Sequence, residues 1–345
     1  MTGNRALITG ITGQDGAYLS RLLLSKGYEV YGAMRRSSNM TMGRLQELNI
    51  HNDIEFVDLE LNEISNIFRV IDRIRPSEIY NLAAQSFVST SWDQPLYTSD
   101  TNAMGVTRLL EAVRVYSPAT RFYQASTSEM YGKAQAVPQN EKTPFYPRSP
   151  YGIAKLYGHW ITVNYRESFG MHATSGILFN HESPLRGIEF VTRKITLSLA
   201  RIVHKQLDVL ELGNLDVKRD WGYADDYVKG MWLMLQQESA GDYVLATGET
   251  HSVREFLEAA FSALDIELEW EGDGQDSRAV DKRSGKTLVK VNPKYYRPAE
   301  VDFLVGDASK ARSALGWSPS VDVFSLAAMM VKADYDRVKR GTIPF

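Results

Sequence analysis

The sequence has no cysteine in its 345 residues. That absence excludes disulfides, thiolate metal sites and a cysteine nucleophile, and it fits a reducing compartment. The six histidines are scattered without metal-ligand spacing, so we predict no bound metal. No apolar run is long enough to span a bilayer, and the first residues lead into a strand pattern without a signal peptide. We therefore expect a cytoplasmic protein with no membrane partner.

The sequence also lacks an excess of charge of either sign. Its 39 basic and 42 acidic residues give a net charge of −3, which provides no basic surface for a nucleic acid. Apolar residues make up 43% of the chain, ample for a core, and the length suits one large domain or two smaller ones. These values indicate a globular enzyme or small-molecule-binding protein.

A glycine-rich turn lies near the N-terminus, between a strand pattern (Arg5–Ile8) and a helix pattern (Ala17–Lys26), with another strand at Glu29–Met34. Strand, turn, helix and strand in this order are the context that a dinucleotide-binding turn requires. Glycines let the backbone approach a pyrophosphate, which the amides at the helix start then bind. The alternative is a structural tight turn. The glycines of the turn are Gly10, Gly13 and Gly16.

The end of the second strand distinguishes between nicotinamide cofactors. Enzymes that bind NAD usually carry an acidic residue there, which accepts a hydrogen bond from the ribose 2′-hydroxyl. This chain has Arg35 and Arg36 followed by two serines. Guanidinium groups and hydroxyls suit a 2′-phosphate, so we predict NADP. The alternative is a solvated basic loop.

Further βα units follow at regular spacing. Strand patterns at Ile54–Val57, Glu78–Leu82 and Arg121–Ala125 alternate with helix patterns at Glu63–Arg75 and Thr101–Tyr116. This alternation predicts an α/β fold with a doubly wound parallel (Rossmann) sheet, of which Met171–Leu178 would be the last strand. Ligands of such sheets bind at the carboxyl ends of the strands. Five strand ends should therefore meet at one edge, marked by Gly10, Arg35, Asp58, Ala83 and Ser126.

Tyr151 and Lys155 are four residues apart in a helical pattern and so lie one turn apart on the same face. An ammonium group beside a phenol favours the phenolate, so we expect the pKa of Tyr151 to be lowered from about 10 toward neutral. The phenolate would then accept a proton from a sugar hydroxyl. Such spacing is also common on solvated helix faces, but the glycine turn and the hydroxyls just upstream favour the catalytic interpretation.

Glu129 lies two residues after the hydroxyl of Thr127, in the stretch Ser126-Thr-Ser-Glu129. A simple alcohol dehydrogenase has no need of this carboxylate. An enzyme that oxidises C4 of a sugar does need one if it also removes the acidified C5 proton, so that the C6 hydroxyl leaves as water. The alternative is that Glu129 only stabilises the start of a helix through its dipole.

The chain resembles the extended short-chain dehydrogenase/reductases, and among them the GDP-mannose 4,6-dehydratase family. The similarity covers nearly the whole chain in order and is carried by Gly10-Ile-Thr-Gly-Gln-Asp-Gly16, Arg35-Arg-Ser-Ser38, Tyr80-Asn-Leu-Ala-Ala-Gln-Ser86, Phe122-Tyr-Gln-Ala-Ser-Thr-Ser-Glu129, Thr143-Pro-Phe-Tyr-Pro-Arg-Ser-Pro-Tyr151, Ile177-Leu-Phe-Asn-His-Glu-Ser-Pro184, Phe190-Val-Thr-Arg-Lys-Ile195, Arg219-Asp-Trp-Gly222 and Tyr296-Arg-Pro-Ala-Glu-Val301.

The resemblance implies conversion of GDP-mannose to GDP-4-keto-6-deoxymannose and water without net redox change. Tyr151 would deprotonate the C4 hydroxyl while NADP takes the C4 hydride, and the hydride would later return to C6. Glu129 would remove the C5 proton, Thr127 would supply the catalytic hydroxyl, and Lys155 would bind the nicotinamide ribose and hold the phenolate. These four residues are the predicted catalytic set.

The resemblance also implies two sets of binding residues. The cofactor set is Gly10, Gly13, Gln14, Asp15, Gly16, Arg35, Arg36, Ser37, Asp58, Leu59, Leu82, Ala84, Ser86, Tyr97, Lys155, His181 and Arg186. The substrate set is Ser86, Asn180, Glu182, Lys194, Arg219, Arg297 and Glu300. The basic members suit a nucleoside diphosphate, and Glu300 is the candidate for guanine. Without the resemblance, Lys194, Arg219 and Arg297 taken singly would be better explained as surface charges, and His181 as a partly buried histidine with its hydrogen bonds satisfied.

The second half is predicted to form a smaller, mixed α/β substrate domain. We assign residues 1–178 to the cofactor domain, with 215–247 packing back onto it, and 179–214 with 248–345 to the substrate domain. The charged stretch 271–290 is predicted to be a loop. The resemblance further implies a homodimer or homotetramer with the Arg35–Ser38 loop near the interface.

Two other functions remain open. The first is a dehydratase or epimerase of another nucleotide sugar, such as GDP-heptose or dTDP-glucose; a plain epimerase would not need Glu129. The second is a regulatory protein that binds a nucleotide on an inactive dehydrogenase scaffold, although Thr127, Glu129, Tyr151 and Lys155 are all intact.

Overall fold

The computed structural model describes residues 4–37, 41–295 and 303–342. The strands of these ranges are β1 (Arg5–Thr9), β2 (Glu29–Met34), β3 (Glu55–Asp58), β4 (Glu78–Asn81), β5 (Arg121–Thr127), β6 (Ala173–Leu178), β7 (Asn180–Glu182), β8 (Leu210–Leu212), β9 (Lys218–Arg219), β10 (Trp221–Tyr223), β11 (Asp242–Leu245), β12 (His251–Ser252), β13 (Leu268–Glu271), β14 (Arg278–Asp281) and β15 (Thr287–Val291).

The α-helices of the same ranges are α1 (Gln14–Ser25), α2 (Gly43–Glu47), α3 (Ile64–Ile74), α4 (Thr90–Asp93), α5 (Pro95–Ser99), α6 (Gly105–Tyr116), α7 (Pro150–Phe169), α8 (Val191–Val203), α9 (Ala224–Gln236), α10 (Val253–Ser262), α11 (Ser309–Leu315) and α12 (Val323–Lys339). A π-helical turn, Asp100–Met104, leads into α6, and a 3-10 turn, Ser128–Met130, follows β5. Within the described ranges, no helix combines the length and apolar content needed to cross a bilayer.

Seven parallel strands form the central sheet in the order β11-β6-β5-β4-β1-β2-β3. One face packs against α1 and α9, and the other against α3 and α6, through two separate apolar clusters. The predicted doubly wound parallel sheet is confirmed. The prediction that Met171–Leu178 ends it was wrong, because β11 pairs outside β6. Residues 215–247 were expected to pack back onto this part of the chain, but which strand pairs with which depends on contacts between distant segments and leaves no local sequence signal.

A second, mixed sheet has the order β13-β14-β15-β8 and carries α8, α10 and α12 on its apolar face. The smaller mixed α/β part predicted from the sequence is therefore present. The prediction that residues 271–290 form a loop was wrong, because they contain β14 and most of β15. The charged composition belongs to one face of these short strands, while Ala279, Leu288 and Val289 are buried on the other.

The two parts are not simply consecutive in sequence. Helix α9 packs on α1, and α11 contributes Ala311 and Leu315 to the same apolar cluster beside the central sheet. Trp317 follows α11 and donates its indole N–H to the Asp226 carbonyl at 2.7 Å. The residue boundaries of a cofactor and a substrate domain stay a prediction.

Candidate active site

The carboxyl end of β5 and the start of α7 bring the predicted catalytic side chains together. Strand β5 ends at Thr127, whose hydroxyl accepts the backbone N–H of Glu129 at 3.2 Å and so caps the short 3-10 turn. Ser149 caps α7 by accepting the Gly152 N–H at 3.0 Å, and Pro150 occupies the first helical position. A Cβ on Gly152 would lie 2.9 Å from the Glu129 carbonyl oxygen, so the helix start packs directly on the turn.

The phenol of Tyr151 lies among the groups expected to act with it. The side chain is 8% exposed and lies near the Thr127 hydroxyl and the Glu129 carboxylate. Burial, and then the Glu129 carboxylate, raise the pKa of Tyr151 above its ordinary value, while the Thr127 hydrogen bond opposes them. The prediction that Lys155 lowers this pKa was wrong for the protein alone, because burial dominates and the groups that oppose it are Thr127 and Arg186 rather than Lys155.

Lys155 lies one turn after Tyr151, with its Nζ 5.9 Å from the centre of the Tyr151 ring. The ammonium donates to the Ala125 carbonyl at 2.9 Å and is almost fully buried. Burial lowers the pKa of Lys155 to about 8, opposed by the charge of Asp15. The lysine is thus tied to β5 rather than directly to the phenol, and it lines the cavity described below.

The glycine turn has the close backbone approaches that a dinucleotide requires. Gly10 has φ +72°, and a Cβ there would lie 2.8 Å from the Ala83 amide nitrogen. A Cβ on Gly16 would lie 2.5 Å from the Gly10 carbonyl oxygen. Helix α1 begins after Gly13 without a side-chain cap, so no side chain competes with a phosphate for its first amides. These features fit a dinucleotide pyrophosphate.

Strand β2 is followed by two arginines, and the acidic residue typical of NAD enzymes is absent from this strand end. Arg35 donates to the Tyr97 hydroxyl at 2.7 Å, and both Arg35 and Arg36 are exposed. Asp58 ends β3, and the Leu59 amide donates to the Met34 carbonyl at 2.9 Å, although the Leu59 side chain belongs to the apolar core. Two of the predicted contacts, Arg35 and Tyr97, thus form one unit at the expected position of the adenosine ribose.

The glycine turn is joined to the segment after β6 by reciprocal hydrogen bonds. Gln14 donates to the His181 carbonyl at 2.8 Å and accepts from the Ser183 hydroxyl at 2.8 Å. The His181 ring lies between two acceptors: its Nε2 is 2.9 Å from Asp15 and its Nδ1 is 2.8 Å from the Phe179 carbonyl. With an acceptor at each nitrogen, the ring is positioned to donate from both, as an imidazolium.

The pKa shifts of this pair agree with an ion pair. Burial opposes the charge on His181, yet Asp15 and the Phe179 carbonyl raise its pKa above the ordinary value. Burial likewise opposes the charge on Asp15, yet His181 and then Arg186 lower its pKa. A raised histidine pKa contributes stability below its unfolded value, and this contribution is lost as the pH rises through the folded value. The stability that comes from the lowered pKa of Asp15 is lost only as the pH falls through that folded-state pKa.

We expect Asp15→Asn to lower the free energy of unfolding by about 3 kcal/mol near pH 6, because it leaves a buried imidazolium without its carboxylate. The difference from wild type should shrink as the pH rises through the folded pKa of His181, since the ring is then neutral. Urea unfolding between pH 5.5 and 9 measures this. A difference that stays constant over that range would contradict the ion pair.

A cavity of about 520 Å³ opens at this edge of the central sheet. The predicted residues that line it come from both cofactor and substrate sets and from all four catalytic positions: Asp15, Leu82, Ala84, Ser86, Thr127, Glu129, Tyr151, Lys155, Asn180, His181, Glu182, Arg186, Lys194 and Arg219. The glycines, Gln14, Arg35, Arg36, Ser37, Asp58, Leu59 and Tyr97 lie outside its lining, along the expected course of the dinucleotide.

The far end of the cavity carries the cations predicted for a nucleoside diphosphate. Lys194 donates to the Glu211 carbonyl at 2.6 Å, and its Nζ lies 3.9 Å from the centre of the Tyr295 ring. Arg219 is buried in the two-residue strand β9 and donates to the Lys218 carbonyl. Of the remaining predicted contacts, Arg297 and Glu300 lie outside the described residues, as do Ser38 and Met40 of the basic loop.

Glu182 has a different environment from the one expected of a sugar ligand. It is buried, accepts from the Thr192 hydroxyl at 2.5 Å and forms an ion pair with Arg186 at 3.0 Å. Arg186 in turn lies over the Phe190 ring at 3.5 Å. The carboxylate therefore holds Arg186 in the cavity wall, and its role toward a sugar stays a prediction.

Sequence reasoning missed a group of cavity residues that come from distant segments. Most have no motif of their own, but Phe190 and Trp221 stand in stretches that carry the family resemblance, and Lys294 and Tyr295 precede the basic Arg297. The missed residues are Phe87, Val88, Ser89, Glu189, Phe190, Leu212, Gly213, Asn214, Val217, Trp221, Val253, Lys294 and Tyr295. Across the described ranges, no group of three or more acidic or histidine side chains is arranged to hold a metal ion.

A family model described as GDP-mannose 4,6 dehydratase matches residues 7–330. The chain belongs to this family. It is 54% identical to the GDP-mannose 4,6 dehydratase of Drosophila melanogaster, over 98% of this chain and 88% of the fly protein. It is also 54% identical to the GDP-mannose 4,6-dehydratase of Sinorhizobium fredii, over 98% of both chains. The resemblance inferred from the motifs is thus confirmed.

Solved structures share the fold of this family member at lower identity. UDP-glucose 4-epimerase from Thermus thermophilus in complex with NAD is 25% identical, with a TM-score of 0.79 over 98% of this chain and all of that one. RMD from Pseudomonas aeruginosa, complexed with NADPH, is 20% identical with a TM-score of 0.77, over 97% of this chain and 99% of that one. The second likeness concerns the fold alone.

Proposed function

We propose that this protein is a GDP-mannose 4,6-dehydratase, which converts GDP-mannose to GDP-4-keto-6-deoxymannose and water. The observation that carries the proposal is the meeting of Thr127, Glu129, Tyr151 and Lys155 in one cavity of a chain 54% identical to named dehydratases over nearly its whole length. Incubating the protein separately with GDP-mannose, a GDP-heptose and dTDP-glucose tests it. Water loss from dTDP-glucose alone would contradict it.

The cofactor of the proposal is a nicotinamide dinucleotide, and specifically NADP. The glycine turn, the bare start of α1 and the Arg35–Tyr97 pair support the dinucleotide and its 2′-phosphate. When bound, NADP supplies a hydride acceptor for C4 and a hydride donor for C6, so that it is unchanged after each turnover. His181, Asp15 and Lys155 would hold its nicotinamide end.

Tyr151 is the proposed base for the C4 hydroxyl. Its raised pKa means that the phenolate needs further stabilisation in the complex, which the Thr127 hydroxyl and the nearby ammonium of Lys155 are placed to give. Thr127 also orients the substrate oxygen. Oxidation of C4 makes the C5 proton acidic, because the resulting carbanion is conjugated with the new ketone.

Glu129 is the proposed base for the C5 proton. The electron pair of the broken C5–H bond forms the C5–C6 double bond, and the C6 hydroxyl leaves with a proton as water. Glu129 lies on the same short turn as Ser128, whose hydroxyl is a candidate for assisting the leaving group. After reduction at C6, C5 regains a proton, so the overall change is the loss of one water.

Removing both cations of the basic loop, in the double variant Arg35→Ser with Arg36→Ser, is expected to weaken NADP binding by about 10–100-fold, because charge-assisted hydrogen bonds to the 2′-phosphate are lost. NAD binding should change by less than about threefold on the same argument. Titration calorimetry with each dinucleotide measures this, and Arg73→Ser, on the exposed face of α3, is the control. If the double variant lost as much affinity for NAD as for NADP, the assignment of NADP would be contradicted.

Self-association and a cytoplasmic location complete the proposal. Apolar side chains are exposed along one side of α7 and beside it, including Ile153 (58%), Trp160 (55%) and Leu96 (84%), which supports a homodimer or homotetramer. The position of the Arg35–Ser38 loop near an interface stays part of this proposal. Light scattering that gives a monomer at micromolar concentration would contradict it.

A further inference from the structure

A row of polar side chains crosses the central sheet on the face toward α7. Thr9, Asn81, Gln124 and Ser175 occupy paired positions on β1, β4, β5 and β6. All four are buried, with at most 1% exposed. Strands of a parallel sheet with helices on both faces are normally apolar throughout, and each buried polar group is costly unless it is hydrogen-bonded. This row departs from the usual apolar pattern, and such departures are expected at functional sites.

The hydrogen bonds of the row run in one direction. Thr9 donates its hydroxyl to the Asn81 side-chain oxygen at 2.7 Å, Asn81 donates to the Gln124 oxygen at 2.8 Å, and Gln124 donates to the carbonyl of Ala125 at 3.0 Å. Turning either amide would place donor against donor or acceptor against acceptor. The orientation of Gln124 is thus fixed by its neighbours from the first strand onward.

The row starts at the glycine turn. The Thr9 hydroxyl accepts the backbone N–H groups of Leu82 and Ala83, each at 3.1 Å. Gly10 packs too closely for a side chain beside the second of these amides, that of Ala83. One buried chain of hydrogen bonds therefore begins where the dinucleotide is expected to bind.

The row ends at Lys155. The Ala125 carbonyl accepts both the Gln124 amide and the Lys155 ammonium, at 3.0 and 2.9 Å. Ala125 and Lys155 line the cavity, whereas Gln124 does not. The charged group that acts on the ammonium from outside α7 is Asp15. The Lys155 ammonium therefore donates to the same peptide that Gln124 holds.

We propose that Gln124 is a positioning residue for Lys155: by anchoring the Ala125 carbonyl, it fixes the position of the ammonium relative to the Tyr151 phenol. The inference rests on the role of Lys155 in the proposed dehydratase. Gln124 does not line the cavity, so in this proposal it acts through the peptide oxygen that it shares with the lysine. The same anchor links the position of the lysine to the glycine turn through Asn81 and Thr9.

Gln124→Met tests the proposal, because it keeps the length of the side chain and removes its donor and acceptor. We expect kcat for GDP-mannose to fall on the order of tenfold as the ammonium loses its fixed position, with KM within about twofold. In a plot of rate against pH, the fall in rate at alkaline pH, which we assign to loss of the Lys155 proton, should also move to higher pH. The Ala125 oxygen would then serve Lys155 alone, which favours the ammonium.

The matched control is Gln139→Met. Gln139 is fully buried and also bridges the backbone, donating to the Ala136 carbonyl at 2.7 Å and accepting the Val305 N–H at 3.0 Å, away from Lys155. The Gln139→Met variant should lose about as much thermal stability as Gln124→Met, while its kcat and the pH at which its rate falls stay as in wild type. Equal effects of the two variants, or no effect of Gln124→Met on kcat and on the pH at which the rate falls, would overturn the proposal.

If Gln124→Met does not fold, Thr9→Val replaces it, with Thr9→Ser as its control. Loss of the first bond of the row should lower kcat in the valine variant and leave the serine variant unchanged; equal rates would overturn the proposal. Lys155→Met separates this inference from the proposed function. A wild type that leaves GDP-mannose intact would overturn both, whereas a fully active Lys155→Met would overturn this inference and the role of Lys155 but not the dehydratase activity. A Lys155-dependent enzyme that is indifferent to Gln124 would overturn only the inference.

Discussion

Glu129→Gln is expected to slow the loss of water from GDP-mannose by about 10²–10⁴-fold, the usual contribution of a general base. The amide has the shape of the carboxylate but cannot accept the C5 proton. The backbone N–H of Glu129 should still donate to Thr127, so the turn after β5 is preserved. The rate of formation of the 4-keto-6-deoxy product, followed by mass spectrometry, measures the effect.

Glu141→Gln is the control for this variant. Glu141 is also a partly buried carboxylate in the segment between β5 and α7, but it accepts the Val244 N–H at 2.8 Å and does not line the cavity. Its amide variant should turn over at nearly the wild-type rate. Full turnover by Glu129→Gln would remove the elimination step from the account and favour a plain epimerase.

Tyr151→Phe is expected to abolish turnover to a similar degree, about 10²–10⁴-fold, because C4 cannot be oxidised unless its hydroxyl loses a proton. Binding of GDP-mannose should be weakened by less than about tenfold, since one neutral hydrogen bond is removed. Turnover and titration calorimetry together separate the two effects. Loss of binding as large as the loss of turnover would point to a purely binding role for the phenol.

The neighbouring Tyr157 provides the control, since it lies on the same helix with its hydroxyl 3.2 Å from Thr107 and outside the cavity. Tyr157→Phe should leave the rate unchanged. A Tyr151→Phe protein as active as wild type would support the alternative of a nucleotide-binding regulatory protein on an inactive scaffold.

The edge of the sheet that carries the cavity could be predicted because its signals are local. A glycine at φ +72°, a serine and proline at the start of α7, and a hydroxyl and carboxylate two residues apart each have one dominant structural explanation. Since parallel strands end at the same edge, identifying five strands was enough to bring Gly10, Tyr151 and Glu129 into one region.

The rest of the site depends on contacts between distant segments. The return of β11 to the sheet and the packing of Lys194 against Tyr295 leave no periodic pattern in the sequence. The shift in the pKa of Tyr151 was predicted in the wrong direction, because the Tyr-x-x-x-Lys spacing reveals the nearby lysine but not how deeply the phenol is buried. The polar row was invisible for the same reason: Thr9, Asn81 and Gln124 are single residues in three separate strands.

The most direct test of the dehydratase account uses GDP-mannose deuterated at C4, incubated with the purified protein without added cofactor. The account predicts a product that has lost one water and carries the deuterium at C6. In heavy water with unlabelled substrate, it predicts solvent deuterium at C5. A sugar that keeps its mass and its label at C4, even when NADP is added, would contradict it.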